Sequence, residues 1–460
     1  MNIKRFTGIV LSLALFFTLG ARTFAQDFEA EYAKPPARAS QDWIKDAIIY
    51  QIFERQYSQK GDFKSITADL DRIENLGVTV IWLMPVNPIG KVKAKGSIGS
   101  PYAIKDYFAV NPDYGSESDL KELINEAHKR GLKVIIDIVA NHTAWDSVMM
   151  KTKAFYTTNA EGEIIPPNPD WTDVADLNYN NPELRKYMTD MLKFWVSEYK
   201  VDGFRCDVAG EVPTDFWENA RAEVDKINKD TLWLAEASKP ELMLSAFNLD
   251  YAWPGHSAID AVMHGLRPAS VIRDMWLAER AKFPRDTLHM RFTDNHDERR
   301  AIARFGEKGA LAAQALVFTL DGVPLIYNGM EVGDTTESGF PALFEKMPIF
   351  WEIAVRRPEF MRFYGGMIDR RKESEALRRG RVEWLKNSDE NRVVSFRRFT
   401  PDEDVVVAIN LSSSPFAGIV EASGDFDDIT PSLGEFPQQR TAALPAVTLA
   451  PWEFRIFRRH

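Results

Sequence analysis

Apolar runs of strand length alternate with amphipathic segments along most of the chain. The first two runs are DAIIYQIF and VTVIWLMP, and the segment between them, SITADLDRIENLG, is predicted to be a helix that starts at its serine and ends at Gly77. Its apolar residues fall on one helical face: Ile66, Leu70, Ile73 and Leu76. The strand runs are apolar throughout, which is typical of parallel strands covered on both faces.

The same alternation continues through the next three hundred or so residues. SESDLKELINEAHKRG has a capping-box pattern at Ser116 and Asp119 and ends at Gly131. The later predicted strands are LKVIIDIVANH, VDGFRCDV, TLWLAEA, FNLDYAW, LHMRFTDN and GVPLIYNGME, and the later helices include PELRKYMTDMLKFWVSEY, DFWENARAEVDKIN and ALAAQALVFTL. Eight strand-helix units over roughly 330 residues predict an α/β fold, a closed (β/α)8 TIM barrel. An open doubly wound sheet is the alternative, but it lacks a Gly-rich phosphate loop here.

Two regions depart from this alternation of strands and helices. Residues 142–181 are rich in Asn, Pro, Asp and Trp without a helical period, so we predict an insertion after the third strand, and loops of this length are usually functional. From about residue 380 onward, short strands such as RVVSFRRF and DVVVAINL are separated by turn residues. The predicted domains are therefore a barrel of residues 26–141 and 182–379, the insertion, and a C-terminal all-β domain of residues 380–460.

The first 25 residues have the layout of a secretory signal peptide. Lys4 and Arg5 precede an apolar run at 6–19, and small residues follow up to Ala25. The run is shorter than the roughly 20 residues that span a bilayer, so we expect cleavage after Ala25 rather than an uncleaved anchor. The sequence contains no other candidate membrane span. A secreted or periplasmic location is predicted.

Composition narrows the choice of partners. The formal net charge is -10, and loss of Lys4, Arg5 and Arg22 with the signal peptide would take it to -13. Nucleic acid is not expected as a partner, since its binding needs a basic surface. Cys206 is the single cysteine, which excludes an internal disulfide, so stability must come from packing or a bound ion. The sequence has no signal for an organic cofactor and leaves the oligomeric state open.

Polar residues with catalytic potential lie at the predicted carboxyl ends of the strands, which is where a (β/α)8 barrel places its active site. They come from the third, fourth, fifth and seventh strands: Asp137, Asn141, His142, Arg205, Asp207, Glu236, His296 and Asp297. A single acid at a strand end is often an ordinary cap or ion-pair partner. Acids at the same end of several strands are instead expected to converge on one pocket.

Several of these segments resemble the signature regions of the α-amylase family, glycoside hydrolase family 13. They are, in order, DIVANH (137–142), GFRCDVAGE (203–211), LAEA (234–237) and FTDNHD (292–297), and VADLN (174–178) resembles a fifth region in the family's domain B insertion. The resemblance covers nearly all of the chain after the signal peptide. It implies a secreted retaining hydrolase that cleaves α-1,4-glucosidic bonds in starch-derived maltooligosaccharides through a covalent glycosyl-enzyme. The implied partner is an α-glucan oligosaccharide or polysaccharide.

Retaining hydrolysis needs one carboxylate as nucleophile and another, about 5 to 5.5 Å away, as acid and then base. By resemblance Asp207 is the nucleophile, Glu236 is the acid/base, and Asp297 holds sugar hydroxyls and stabilises the transition state. Glu236 must stay protonated near neutral pH, which apolar neighbours and nearby carboxylates favour. Arg205 is two residues before Asp207 and faces the same side, where its cation should keep Asp207 ionised, while Cys206 faces the other way.

Further substrate contacts are implied by the same resemblance. His142 and His296 match histidines that hydrogen-bond the sugar on the donor side of the cut. Tyr102 resembles an aromatic residue that stacks on this sugar, with core packing as the alternative. Arg300 is expected to brace the acids, as in the family's NHDxxR pattern, and Arg299 to face solvent.

The chain departs from long-chain α-amylases at two positions. These enzymes have Lys-His three and four positions after the nucleophile, where this chain has Gly210 and Glu211. The histidine helps to form a calcium site that also uses the residue matching Asn141, so the requirement for calcium is left open. Glu211 resembles the neopullulanase and cyclomaltodextrinase branch, although we expect no extra N-terminal domain of that branch. The alternatives are a hydrolase of this branch, an α-glucosidase-like enzyme, a transglycosylase of the same family, and a non-catalytic sugar-binding homologue.

Overall fold

The computed structural model describes residues 34–434 and 444–459. The signal peptide predicted at residues 1–25 lies outside these ranges. Within them we find no helix whose length and apolar character would let it span a bilayer.

Eight parallel strands close into a barrel, as the sequence predicted. In chain order the strands before residue 380 are β1 (Ile49–Ile52), β2 (Val80–Leu83), β3 (Lys133–Val139), β4 (His142–Ala144), β5 (Val174–Asp176), β6 (Gly203–Asp207), β7 (Leu232–Ala235), β8 (Leu249–Tyr251), β9 (Leu288–Arg291) and β10 (Val323–Tyr327). The barrel has the order β1-β10-β9-β8-β7-β6-β3-β2, and β4 and β5 form a separate pair. The uncertain sixth strand of the sequence pattern is β8.

Helices surround the barrel and connect its strands. In chain order they are α1 (Asp42–Lys45), α2 (Glu54–Tyr57), α3 (Phe63–Ala68), α4 (Leu70–Leu76), α5 (Glu117–Lys129), α6 (Pro182–Phe194), α7 (Thr214–Asp225), α8 (Leu242–Ser245), α9 (Trp253–Met263), α10 (Val271–Lys282), α11 (Ala301–Thr319), α12 (Phe340–Phe344), α13 (Pro358–Glu373) and α14 (Glu375–Arg379). The capping box predicted at Ser116 and Asp119 is present at the start of α5. Gly77 ends α4 in the left-handed conformation, with φ of 96°.

Two predicted helices differ from the observed ones. The first helix begins at Phe63 rather than at Ser65, because Asp62 is its cap and accepts the Ser65 backbone N–H at 2.9 Å. It also breaks at Asp69 into α3 and α4. Helix α11 begins well before the apolar run ALAAQALVFTL and is interrupted at Gly306, whose φ of 73° and ψ of 171° are not helical.

Each barrel strand is buried on both faces. One apolar cluster fills the interior and contains Ile49, Trp82, Leu234 and Met290 among others, while a larger one lies between the strands and the helices. Strands β6 and β7 approach closely at Gly203, where a Cβ atom would lie 2.3 Å from the Leu232 carbonyl oxygen. Continuous apolar runs therefore correctly indicated a sheet covered on both faces.

The insertion follows β3 directly, in agreement with the predicted domain B. Strand β4 pairs antiparallel with β5, so that His142 lies opposite Asp176. Short 3-10 turns at Val148–Lys151 and Lys153–Phe155 lie between them. The sequence pattern predicted the insertion but not this small sheet, whose strands have three residues each. The domain boundaries stay predictions.

The C-terminal part of the chain is all-β, as predicted. Its strands are β11 (Arg381–Trp384), β12 (Val393–Phe399), β13 (Asp404–Asn410), β14 (Phe416–Ile419), β15 (Asp427–Asp428), β16 (Ala446–Leu449) and β17 (Phe454–Arg459). They form a five-stranded sheet, β11-β12-β13-β17-β15, and the pair β14-β16. A bond from Arg398 Nη1 to the Thr319 carbonyl at the end of α11 ties this sheet to the barrel.

Candidate active site

Arg205 is the centre of the cluster at the barrel mouth. Its Nη1 donates to Asp207 Oδ1 at 2.8 Å and to Asp137 Oδ1 at 3.0 Å, and its Nη2 lies 2.9 Å from Glu236 Oε1. Its Nε donates to the Tyr251 hydroxyl at 3.1 Å. The side chain is wholly buried. One guanidinium therefore faces three carboxyl groups from three different strands.

Strand register explains how these groups meet. Arg205 and Asp207 point to the same side of β6, and the pairing of β3 with β6 places Asp137 opposite Arg205. Glu236 directly follows β7, and its backbone N–H bonds to the Cys206 carbonyl at 3.0 Å. The Cys206 side chain packs in the outer apolar cluster and is wholly buried, facing away from the mouth as predicted.

Val208 holds Glu236 from the other side. Its backbone N–H donates to Glu236 Oε2 at 2.8 Å. To do so, Val208 adopts a φ of 34°, in the left-handed region that β-branched residues avoid. Strain of this kind at the end of β6 is typical of functional sites, because the surrounding structure must enforce it. Both carboxyl oxygens of Glu236 are therefore in contact with a donor: Oε1 with Arg205 and Oε2 with Val208.

The carboxyl groups of the cluster have raised pKa values. Burial raises the pKa of Glu236 to about 7, with Arg205 opposing this and Asp207 adding to it. Burial likewise raises the pKa of Asp137 to about 8 and that of Asp297 to about 7. The Asp297 side chain lies at the open mouth and is 34% exposed. The groups exchange protons as a set rather than independently.

The interaction between the two central acids favours Glu236 as the protonated group. It lowers the pKa of Asp207 and raises that of Glu236. The net pKa of Asp207 is still above its usual value, because burial outweighs the effect of Arg205. Arg205 therefore favours the ionised form of Asp207, as expected, and Glu236 does so too, while burial opposes both.

His296 contacts both Gln51 of strand β1 and the residues of the mouth cluster. Its Nδ1 accepts from Gln51 Nε2 at 2.6 Å, which places the ring proton on Nε2. Nε2 lies 2.5 Å from the Tyr102 hydroxyl and 3.1 Å from Asp297 Oδ2, and the Tyr102 hydroxyl lies 3.2 Å from Asp137 Oδ2. Burial and the Arg205 charge hold the pKa of His296 well below its usual value, so its ring is neutral.

Tyr102 belongs to the mouth cluster, while His142 begins β4 and contacts the insertion. The Tyr102 ring stacks on His296, with 5.5 Å between centroids and 27° between planes. His142 contacts the Trp171 ring edge-on at 5.6 Å and accepts at Nδ1 from Asn141 Nδ2 at 3.3 Å. Burial lowers the pKa of His142 to about 4. Both histidines are therefore neutral groups suited to bond sugar hydroxyls.

Arg300 does not join this cluster, and the prediction that it braces the acids is wrong. Its Nη1 donates to the Asn328 carbonyl at 2.7 Å, and its Nη2 lies 3.5 Å from Asp334. Its guanidinium stacks over Tyr327, 4.4 Å from the ring centroid. Arg300 thus holds the segment that follows β10. Arg299 is exposed, as expected.

Sequence reasoning missed three residues of the pocket. Trp82 and Tyr251 flank the Arg205 guanidinium, at 5.3 and 5.6 Å from their ring centroids, and Gln51 orients His296. All three are buried. Gln51 carried a usable signal, since it is a polar residue inside the apolar run YQIF. The two aromatic residues could not be told from ordinary core.

The surroundings of Asn141 do not fit a calcium site. Calcium takes about six to eight oxygen ligands, usually including carboxylates. Among residues 34–434 and 444–459 no group of three or more His, Cys, Asp and Glu side chains is placed to hold a metal ion. The Asn141 side-chain N–H donates to His142 Nδ1 at 3.3 Å, and the Asn141 backbone carbonyl oxygen accepts the Leu177 N–H at 3.1 Å. The chemistry below therefore uses no ion, and calcium stays a prediction.

Comparison with known proteins agrees with this geometry. A family model described as "Alpha amylase, catalytic domain" matches residues 37–163 and 168–394. The chain is 27% identical to alpha-amylase MalA of Haloarcula japonica, over 84% of this chain and 58% of that protein. It therefore spans less than two thirds of this relative. It is also 26% identical to a cyclomaltodextrinase of a Bacillus species, over 82% of this chain and 74% of the relative.

A solved structure shares the same architecture. It is the noncanonic maltogenic alpha-amylase AmyB from Thermotoga neapolitana, with a TM-score of 0.82 and 28% sequence identity. The superposition covers 90% of this chain and 99% of that one. The barrel and the all-β region are therefore common to both proteins.

Proposed function

Because the chain belongs to the α-amylase family of glycoside hydrolases, we propose that it is a retaining hydrolase of α-1,4-glucosidic bonds in maltooligosaccharides. One observation carries the proposal. Asp207 and Glu236 contact Nη1 and Nη2 of one guanidinium, at 2.8 and 2.9 Å. Two carboxyl groups that share one guanidinium fit the short separation of a retaining enzyme, about 5 to 5.5 Å, better than the wider one of an inverting enzyme.

The reaction has two steps, formation and hydrolysis of a glycosyl-enzyme, and each residue has a defined role in them. Arg205 holds Asp207 Oδ1, which leaves Oδ2 to attack the anomeric carbon. Glu236 donates its proton to the glycosidic oxygen as the bond breaks, and the sugar becomes an ester of Asp207. Glu236, now ionised, takes a proton from water, and the resulting attack releases the sugar with its original configuration. Asp297, His296 and His142 hold the hydroxyls of the donor sugar.

A chain of sugars is a better candidate substrate than a disaccharide. The insertion at residues 142–181 is short for this family, which favours a cleft that is open along its length. Phe340 supports this, since 68% of it is exposed. It follows Gly339, where a Cβ atom would lie 2.9 Å from the Asp297 carbonyl oxygen. Its ring can stack on a second donor sugar.

Export is part of the proposal and rests on residues 1–25. The charged start, the apolar run and the small residues at its end are the features of a cleaved signal peptide. N-terminal sequencing of protein from a culture medium or periplasmic extract tests it. A mature chain that begins at Gln26 is expected, and an intact Met1 would contradict export.

Cyclomaltodextrinase activity is the second candidate. Glu211, four residues after the nucleophile, favours it, as does the similarity to a Bacillus enzyme of that name. A transglycosylase would use the same acids and differ in how water is excluded. A non-catalytic homologue is disfavoured because Asp207, Glu236 and Asp297 are all present.

Substrate comparison tests the proposal. We expect kcat/KM for maltoheptaose to equal or exceed that for starch, with lower values for cyclodextrin and maltose. Chromatography of the products distinguishes hydrolysis from transfer, since longer oligosaccharides appear only in transfer. A strong preference for maltose would refute the endo-acting proposal, and a preference for cyclodextrin would support the second candidate. Asp207→Asn serves as the control for contaminating amylase.

A further inference from the structure

We propose that Lys239 binds the sugar on the acceptor side of the cut and so contributes to substrate specificity. The inference rests on the proposed function. Lys239 lies in the loop after β7, three residues beyond Glu236, and its side chain is exposed.

The position of the acceptor sugar follows from the acid. Glu236 must reach the glycosidic oxygen, so the leaving sugar lies on the Glu236 side of Asp207. The donor sugar lies on the other side, where His296 and Asp297 are 3.1 Å apart. The loops after β6 and β7 are therefore the walls that the acceptor sugar meets. Lys239 is part of the second wall.

The Lys239 side chain lies across the first wall at Gly210. A Cβ atom on Gly210 would be 3.2 Å from Lys239 Cε and 3.5 Å from Nζ. Nζ donates to the Gly210 carbonyl oxygen. A side chain at Gly210 would therefore crowd the lysine and require it to shift. This contact fixes an exposed and otherwise mobile side chain at the edge of the cleft.

The Lys239 ammonium keeps donors free for a ligand. An ammonium group has three N–H donors, and the Gly210 carbonyl uses one. In the described part of the chain no carboxylate lies within ion-pair distance of Lys239, unlike Lys226, which pairs with Glu223. Sugar hydroxyls accept such bonds, and a charged donor strengthens them. Two donors fixed beside the acid fit the hydroxyls of an acceptor sugar.

A structural role is the rival explanation. Gly210 belongs to the turn Ala209–Glu211, and Val208 just before it donates to Glu236 Oε2. Lys239 could therefore act by holding this turn and, through it, the acid. The two roles differ in one respect. Loss of a positioning residue harms every reaction that uses Glu236, whereas loss of an acceptor contact harms only substrates with an acceptor sugar.

Lys239→Met, measured on maltoheptaose and on α-maltosyl fluoride, separates these roles. The leaving fluoride has no sugar on the acceptor side, yet hydrolysis of the maltosyl-enzyme still needs Glu236 as base. We expect the variant to lose about tenfold in kcat/KM on maltoheptaose, mainly through KM, and less than about twofold on the fluoride. Lys239→Arg should recover most of the loss, since it restores a cationic donor.

Two further variants complete the test. Gly210→Val should reproduce the pattern of Lys239→Met, because its side chain pushes the lysine aside. Lys229→Met is the matched control, since Lys229 is an exposed lysine before β7, at the opposite end of the barrel. Equal losses on both substrates, or no loss on maltoheptaose, would overturn the inference while leaving the hydrolase assignment intact. A wild-type protein inactive on both substrates would instead refute the proposed function.

Discussion

Two buried clusters of charge lie on opposite sides of the barrel wall. At the mouth, Arg205 faces the carboxyl groups of Asp137, Asp207 and Glu236. Between the wall and helix α10, His289 pairs with Asp250, and Arg291 Nη2 lies 2.9 Å from Glu279 and 3.0 Å from Asp321. Both clusters are largely removed from water. They differ in the balance of charge.

This difference separates a catalytic cluster from a structural one. At the mouth the acids outnumber the cation, so burial prevails and raises the pKa of Glu236 to about 7. In the wall cluster two cations face three acids. Burial raises the pKa of Asp250, whereas Arg291 and Arg398 lower the pKa of Asp321 despite its burial. The pKa of His289 is raised by Asp250 and Glu279 even though burial opposes it. The larger excess of acid over cation at the mouth keeps a proton available for transfer, while the second cation of the wall cluster makes that cluster mainly stabilising.

The largest effect is expected for Asp207→Asn. A neutral amide cannot form the glycosyl ester, so kcat on maltoheptaose should fall by about 10⁴-fold or more. The circular dichroism spectrum should be unchanged. Activity near that of the wild type, in protein free of contaminating amylase, would end the assignment of the mouth cluster as catalytic.

Glu236→Gln should affect substrates unequally. Starch needs a proton on its leaving oxygen and should lose about 10³-fold in kcat/KM, while an activated aryl maltoside should lose far less, since its leaving group needs no proton. The ratio of the two losses is the measurement. Equal losses on the two substrates would show that Glu236 is not the acid.

The mouth cluster also predicts the alkaline limit of the wild-type enzyme. Glu236 must be protonated in the free enzyme, and its pKa is raised to about 7. kcat/KM on maltoheptaose should therefore fall about tenfold for each pH unit well above that value. For the activated aryl maltoside this fall should be weaker. A flat profile for maltoheptaose up to about pH 9 would contradict the raised pKa.

A substitution in the wall cluster should change the stability of the protein rather than its activity. Since the folded pKa of His289 is above its usual 6.5, its stabilisation is complete below 6.5 and disappears as pH rises through the folded value. His289→Gln should therefore lower the free energy of unfolding by about 3 kcal/mol near pH 6, and by less near pH 9. Denaturant titration at both pH values measures this. His264→Gln, at a partly exposed histidine that pairs with Asp260, is the control and should change little.

The sequence was sufficient for the barrel and for the acids of the mouth, because both depend on local order. Apolar runs mark strands buried on both faces, and a residue at the end of a strand stays at that end in any closed barrel. Asp207 and Glu236 therefore had predictable neighbours. Strands β4 and β5 could not be predicted, since three-residue strands leave no period to detect.

The direction of individual side chains also could not be predicted from the sequence. Arg300 follows the FTDNHD segment closely, yet its long side chain contacts the chain near residues 328 and 334, and no local pattern distinguishes that rotamer from one facing the acids. Gln51 comes from the first strand and orients a histidine of the seventh. This contact joins residues 245 positions apart, and only the closed barrel brings them together.

Cys206 gives this chain a built-in reporter of barrel opening. Its thiol is wholly buried beside the nucleophile, and burial raises its pKa well above the usual range. A thiol reagent therefore reaches it only when β6 separates from its surroundings, and the rate of labelling under native conditions measures the frequency of that opening. Because Cys206 is the single cysteine, the mass shift needs no assignment. A donor analogue that binds between Asp207 and Asp297 should slow labelling, which would report occupancy of the pocket without any turnover.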